Sequence, residues 1–218
     1  MKRVDGRGKL LKKIVETFED LNPVAIHQFG SGASGYKDEF SDLDLWITFK
    51  KEKIDEVLKQ QEKIFRKIAP VLIEHHSKKN SPVGGGATLV IYSLPEGLFQ
   101  VDFYFATEKF PKGEWKLSPE VDERKTLRKD LTYLIVMGFI LIKGIIRLWG
   151  KSEAMETVRK VYKRVEEKSG MKFAPLPEDL NFGFITTLLE NIRPLASREQ
   201  QKAISSIENF AQQIKSSL

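Results

Sequence analysis

A chain of 218 residues with 41% hydrophobic and 10% aromatic content can build one generous domain or two small ones with ordinary buried cores, so a disordered chain is not the expectation. Cysteine is absent, which excludes a disulfide framework, a thiolate zinc site and a thiol nucleophile. A net charge of +6 and a pI near 9.3 suit a partner carrying phosphate without selecting one, and the basic excess falls in the second half of the chain.

Residues Met1 to Lys13 are basic but contain neither an apolar run nor a small-residue cleavage site, so the expectation is a cytoplasmic protein. Leu10, Leu11, Ile14, Val15 and Phe18 recur at helical spacing. Asn22-Pro23 ends that pattern, and an apolar run from Val24 to Phe29 reads as a strand. From Leu43 to Phe49 the period becomes two, with Leu43, Leu45, Ile47 and Phe49 on one face and Asp42, Asp44, Trp46 and Thr48 on the other. Ile54, Val57, Leu58, Gln61, Phe65 and Ile68 predict a second helix ended by Pro70, followed by strand-like runs near 71–75, 87–93 and 98–105.

The turn-rich stretch from Phe110 to Pro119 predicts a domain boundary, drawn here between residues 112 and 113. Beyond it the chain reads as helix: about Glu120 to Trp149, then 152–168, a break at Pro175 and Pro177, 180–192, and an amphipathic helix from about 198. The apolar stretch from Leu131 to Trp149 is interrupted by Lys143 and Arg147, so a buried helix is expected there, not a membrane span. The predicted fold class is α+β, a mixed sheet with flanking helices followed by an all-α bundle.

The chemistry concentrates between Phe29 and Phe49. A strand runs into Gly30-Ser31, where a glycine lets the backbone approach a phosphate and Ser31 offers a hydroxyl and an amide. Asp42 and Asp44, two apart on a strand, share a face and together suit a hard cation. Asp102 lies in a further strand where Gln100, Asp102 and Tyr104 alternate with Val101, Phe103 and Phe105, and an acid amid so much apolar sequence needs a partner. Gly84-Gly85-Gly86 lacks the Lys-Ser/Thr of a P-loop and reads as a hairpin. His75 and His76, as strand neighbours, point apart, and with His27 they are assigned structural roles.

These residues resemble the signature of the polymerase-β-like nucleotidyltransferases: an apolar residue, Gly-Ser, about ten residues, Asp-x-Asp between apolar residues, and a later strand with an acid between apolar residues. In size and in the trailing helical half the chain looks most similar to bacterial antibiotic nucleotidyltransferases, which modify aminoglycosides or lincosamides. The resemblance implies magnesium held by Asp42, Asp44 and Asp102, two ions in all, with ATP or another nucleoside triphosphate as co-substrate. It implies transfer of a nucleoside monophosphate, AMP first among them, to a hydroxyl of a small molecule with pyrophosphate as the leaving group. Gly30 and Ser31 would cradle the triphosphate. Many relatives place an arginine just after the Gly-Ser pair, whereas this chain has Gly32-Ala33-Ser34-Gly35, so phosphate contact would fall to Lys37 or to a basic residue of the helical half such as Lys143. Glu108 and Glu74 are alternative proton acceptors. Homodimers are common among the resembling enzymes, other members transfer nucleotides to RNA or to protein side chains, and a non-catalytic nucleotide-binding module is the remaining alternative. A polycationic aminoglycoside calls for an acidic site, so a less charged lincosamide suits the net basic helical half better, unless Glu120, Asp122 and Glu123 form a local acidic rim.

Overall fold

The structure is a computed structural model, and it describes residues 2–30, 35, 38–77, 80–111, 126–148 and 153–218. The chain divides into two compact units, Met1–Glu123 and Arg124–Leu218.

In the first unit, α1 (Lys2–Glu19) leads into β1 (Ala25–Phe29), followed by β2 (Leu43–Thr48), α2 (Lys51–Ile68), β3 (Val71–His76), β4 (Gly86–Leu94) and β5 (Gly97–Ala106). The strands form one five-stranded sheet in the order β1-β2-β5-β4-β3. The β2/β5 pair is parallel and the other pairings are antiparallel, so the sheet is mixed, as expected.

Alternation along the strands fixes which face is covered. Leu43, Leu45 and Ile47 of β2 and Val101, Phe103 and Phe105 of β5 are buried against Leu10, Ile14 and Phe18 of α1 and Ile54, Val57, Phe65 and Ile68 of α2. The Phe65 ring stacks on Phe103 at 4.8 Å, and Phe18 meets Phe103 at 5.7 Å. Both helices therefore occupy one face, leaving the intervening residues of β2 and β5 on the other. The glycine run is a turn leading into β4, where the Gly85 amide donates to the Pro82 carbonyl at 3.0 Å. A Cβ at Gly85 would lie 1.9 Å from the Phe105 carbonyl oxygen, so a side chain there would push against β5.

The second unit contains α3 (Leu127–Ile146), α4 (Glu153–Ser169), α5 (Phe182–Ile192), a 3-10 turn (Arg193–Leu195) and α6 (Arg198–Ser217). The first of these helices is shorter than the sequence suggests. Thr126 is extended and its hydroxyl accepts from the Lys129 amide, so α3 starts at Leu127 rather than near Glu120. Residues 120–125 lie outside the described residues. At the other end Leu148 adopts a left-handed backbone (φ 53), and the helix stops at Ile146 instead of reaching Trp149. Along most of its length α3 is buried, packing against α4, α5 and α6. Among the described residues, no helix is long and apolar enough to cross a membrane.

Among the described residues of this bundle, Asp130 is a buried acid. Asp130 accepts from Arg164 Nε at 2.9 Å and from Lys168 Nζ at 2.8 Å. Burial alone would raise its pKa, but the hydrogen bonds and charges of those two cations outweigh it and hold the carboxyl below the usual range.

Candidate active site

The face of the sheet opposite α1 and α2 carries the acids singled out from the sequence. Parallel pairing sets Asp44 beside Asp102 and Trp46 beside Tyr104. Neighbouring strands lie about 4.8 Å apart, so two carboxylates in register share a small volume. Asp42 immediately precedes β2. Its charge, with those of Asp102 and Asp44, acts on the Tyr104 hydroxyl, whose pKa is pushed up first by burial and then by all three acids. The three carboxylates thus lie within electrostatic reach of one phenol.

Each acid has a local support. Arg7, on the same stripe of α1 as Leu10, Ile14 and Phe18, is buried, and its Nη1 donates to the carbonyls of Asp38 (3.1 Å) and Ser41 (3.3 Å). The Asp38 carboxylate accepts from the Phe40 amide at 2.8 Å, closing the turn that delivers the chain to Asp42. Asp102 accepts from Gln100 Nε2 on both oxygens, at 3.1 and 3.0 Å, which fixes the carboxylate's orientation from two residues away on the same strand face.

Asp44 is packed against the end of β1. Gly30 has φ +62, and a Cβ built there would lie 2.3 Å from Asp44 Oδ2. Glycine is therefore required twice, for the left-handed backbone and for the close approach of main chain to carboxylate. Ser31 and Lys37 lie outside the described residues.

Aromatic rings form one flank of this face. Phe29 contacts Tyr104 at 5.4 Å, and Trp46 stacks with Tyr104 at 6.3 Å. Phe110 folds back over β1 and β2, stacking on His27 at 4.4 Å and on Phe29 at 4.9 Å. Trp46 Nε1 and Thr48 Oγ1 both donate to the Glu108 carbonyl, at 2.9 and 3.2 Å, which anchors that return. Glu108 thus serves the site through its main chain, with an exposed side chain. Glu74 pairs with Val90, which pairs with Val101, so strand register puts it on the helix-covered face, opposite Asp44 and Asp102. That removes it as a proton acceptor at these acids.

Lys143 belongs to α3 of the second unit. It is buried (2% exposed), with Nζ 5.8 Å from the Phe139 ring centroid, so its side chain does not run out to solvent.

The donor set at the carboxylates is all oxygen, the chemistry that hard divalent cations select. Residues 11–83 match the family model described as the nucleotidyltransferase domain. Over this segment, about a third of the chain, the sequence is similar to nucleotidyltransferase domains. The matched segment holds Gly30, Asp42 and Asp44, while Asp102 lies beyond it and joins them through the β2/β5 pairing. Nucleotidyl transfer is the general activity that this domain supports. No curated protein matches the chain.

The sequence reading passed over Arg7 and assigned no role to Gln100. A cation on the apolar stripe of α1 was the available signal for Arg7. Gln100 was visible as a strand-face neighbour of Asp102, but which group its amide would reach depends on side-chain conformation.

Proposed function

We propose that the protein transfers a nucleoside monophosphate, AMP from ATP in the first instance, to a hydroxyl of a small molecule, with an aminoglycoside or lincosamide antibiotic as the specific acceptor class. The supporting observation is the convergence of Gly30, Asp44 and Asp102: a glycine pressed on one carboxylate and a second carboxylate in register beside it.

The residues fit magnesium. Asp44 and Asp102 adjoin with oxygen donors only, and the space a Cβ at residue 30 would fill belongs to the Asp44 carboxylate. Asp42, Asp44 and Asp102 would hold the metal, which supplies charge neutralisation at the attacking and leaving oxygens when bound. The chain's own part is positioning. Gly30 allows the main chain to pass close to the phosphates, Gln100 orients Asp102, and Arg7 fixes the turn before Asp42. In the reaction the acceptor hydroxyl gives up its proton to solvent, with the Asp102 carboxylate helping to activate it, and its oxygen forms a bond to the α-phosphorus. The bond from that phosphorus to the bridging oxygen breaks, and pyrophosphate leaves with its electron pair.

The test is magnesium-dependent pyrophosphate release from each nucleoside triphosphate across a panel of aminoglycosides and lincosamides. Release that requires one drug and is lost in Asp42→Asn, with the fold intact by circular dichroism, supports the proposal. Full activity in Asp42→Asn sinks the residue assignment. Silence across the panel with ATP still bound moves the acceptor to RNA or protein.

A further inference from the structure

We infer that Glu62, Glu74 and His76 form a second metal site, which takes a divalent transition-metal ion of the zinc class and ties α2 to the edge strand β3. Each offers one ligand atom, and these atoms all lie within 4.8 Å of one another. Ligands bound to zinc at about 2.1 Å sit roughly 3.4 Å apart in a tetrahedron, so a modest contraction closes the site, and Glu62 and His76 are exposed enough to make it.

The imidazole is already oriented. His76 Nδ1 lies 2.8 Å from Thr88 Oγ1, and that hydroxyl donates its single proton to Gln61 Oε1 at 2.9 Å. The Thr88 oxygen must then accept from His76 Nδ1–H, which places the ring's lone pair on Nε2. A hydrogen bond that fixes the tautomer from behind is the usual support of a metal-binding histidine.

Two buried oxygens beside it lack partners. Among the described residues, Glu74 Oε2 and the Tyr92 hydroxyl are both inaccessible and make no hydrogen bond, and Tyr92 is 0% exposed. Glu74 pairs with Val90, two residues before Tyr92 on the same face of β4, and its charge acts on the Tyr92 phenol. Buried polar atoms left unsatisfied call for a missing ligand. A cation at Glu74 supplies one, and one imidazole with two carboxylates is a borderline donor set that favours zinc or manganese over magnesium.

The site is separate from the carboxylates of the candidate active site. His76 pairs with Thr88, which pairs with Phe103 on the helix-covered face, whereas Asp44 and Asp102 lie on the other. His75 pairs with Leu89, whose partner is Asp102, so it faces away from Glu62 and serves as a control.

The experiment is zinc titration of the chelator-stripped full chain in excess magnesium, followed by calorimetry and by histidine side-chain NMR. With three histidines in the chain, the ring signals are readily told apart by substitution. One equivalent of zinc should shift the His76 ring. His76→Gln and Glu62→Gln should each weaken binding at least tenfold, Thr88→Val should weaken it about tenfold through loss of the orienting bond, and His75→Gln should leave it unchanged. Circular dichroism controls for folding in each variant. Absence of saturable zinc binding, or affinity that survives both His76→Gln and Glu62→Gln, overturns the inference.

Discussion

Replacing Gly30 with alanine tests the link between main-chain geometry and chemistry at one atom. The backbone at φ +62 costs an L-residue about 1–2 kcal/mol. The new Cβ would also meet Asp44 Oδ2 at 2.3 Å, against the 3.4 Å at which ordinary contact begins, so the carboxylate must retreat by about 1 Å. A misplacement of that size at reacting groups can lower rate about 100-fold. The expected result is a urea-denaturation stability lower by about 1–2 kcal/mol and a kcat for pyrophosphate release lower by about two orders of magnitude. Gly30→Asn separates the two effects. Asparagine tolerates the left-handed backbone but still carries a Cβ, so it should recover stability without recovering rate. Wild-type kcat in both variants would refute the reasoning.

Gln100→Leu removes the amide that holds both oxygens of Asp102. With Asp102 in its proposed metal-holding role, it should lower kcat about tenfold through loss of the supporting bond, with near-normal circular dichroism; an unchanged kcat would detach Gln100 from the site. Asp130→Asn should destabilise the chain by about 1–3 kcal/mol at pH 7, because Arg164 and Lys168 lose a buried carboxylate but keep partial access to water. Since the folded-state pKa of Asp130 is lowered, its stabilisation is full above the ordinary value of 3.8 and fades as pH falls below it. Urea denaturation at pH 7 and pH 3 should therefore show the gap between wild type and variant closing in acid.

Strand periodicity alone separated Asp44 and Asp102 from the core, because a period of two assigns faces without knowledge of the partner strand. The same rule correctly set His75 and His76 on opposite faces. It could not show that Asp44 would stand beside Asp102, since their pairing joins strands far apart in sequence, nor that Gly30 would touch the Asp44 carboxylate. Glu62 illustrates the same limit. It reaches His76 and Glu74 from a helix, and no spacing within β3 announces it. The start of α3 was misplaced because the acids before Thr126 continue a helix-compatible composition, while the signal for the helix start is the single capping hydroxyl of Thr126.

The placement of β5 has a consequence for how the chain can be made. This strand is the last of the five in sequence yet lies at the centre of the sheet, between β2 and β4. A nascent chain that has emerged only as far as β4 exposes two unpaired strand edges, and unpaired edges invite association with other chains. Asp102 arrives on the same strand that fills the gap. Closure of the sheet and assembly of the carboxylate pair are therefore one event, and a ribosome-bound intermediate short of residue 97 should hold the edges of a fold without its chemistry.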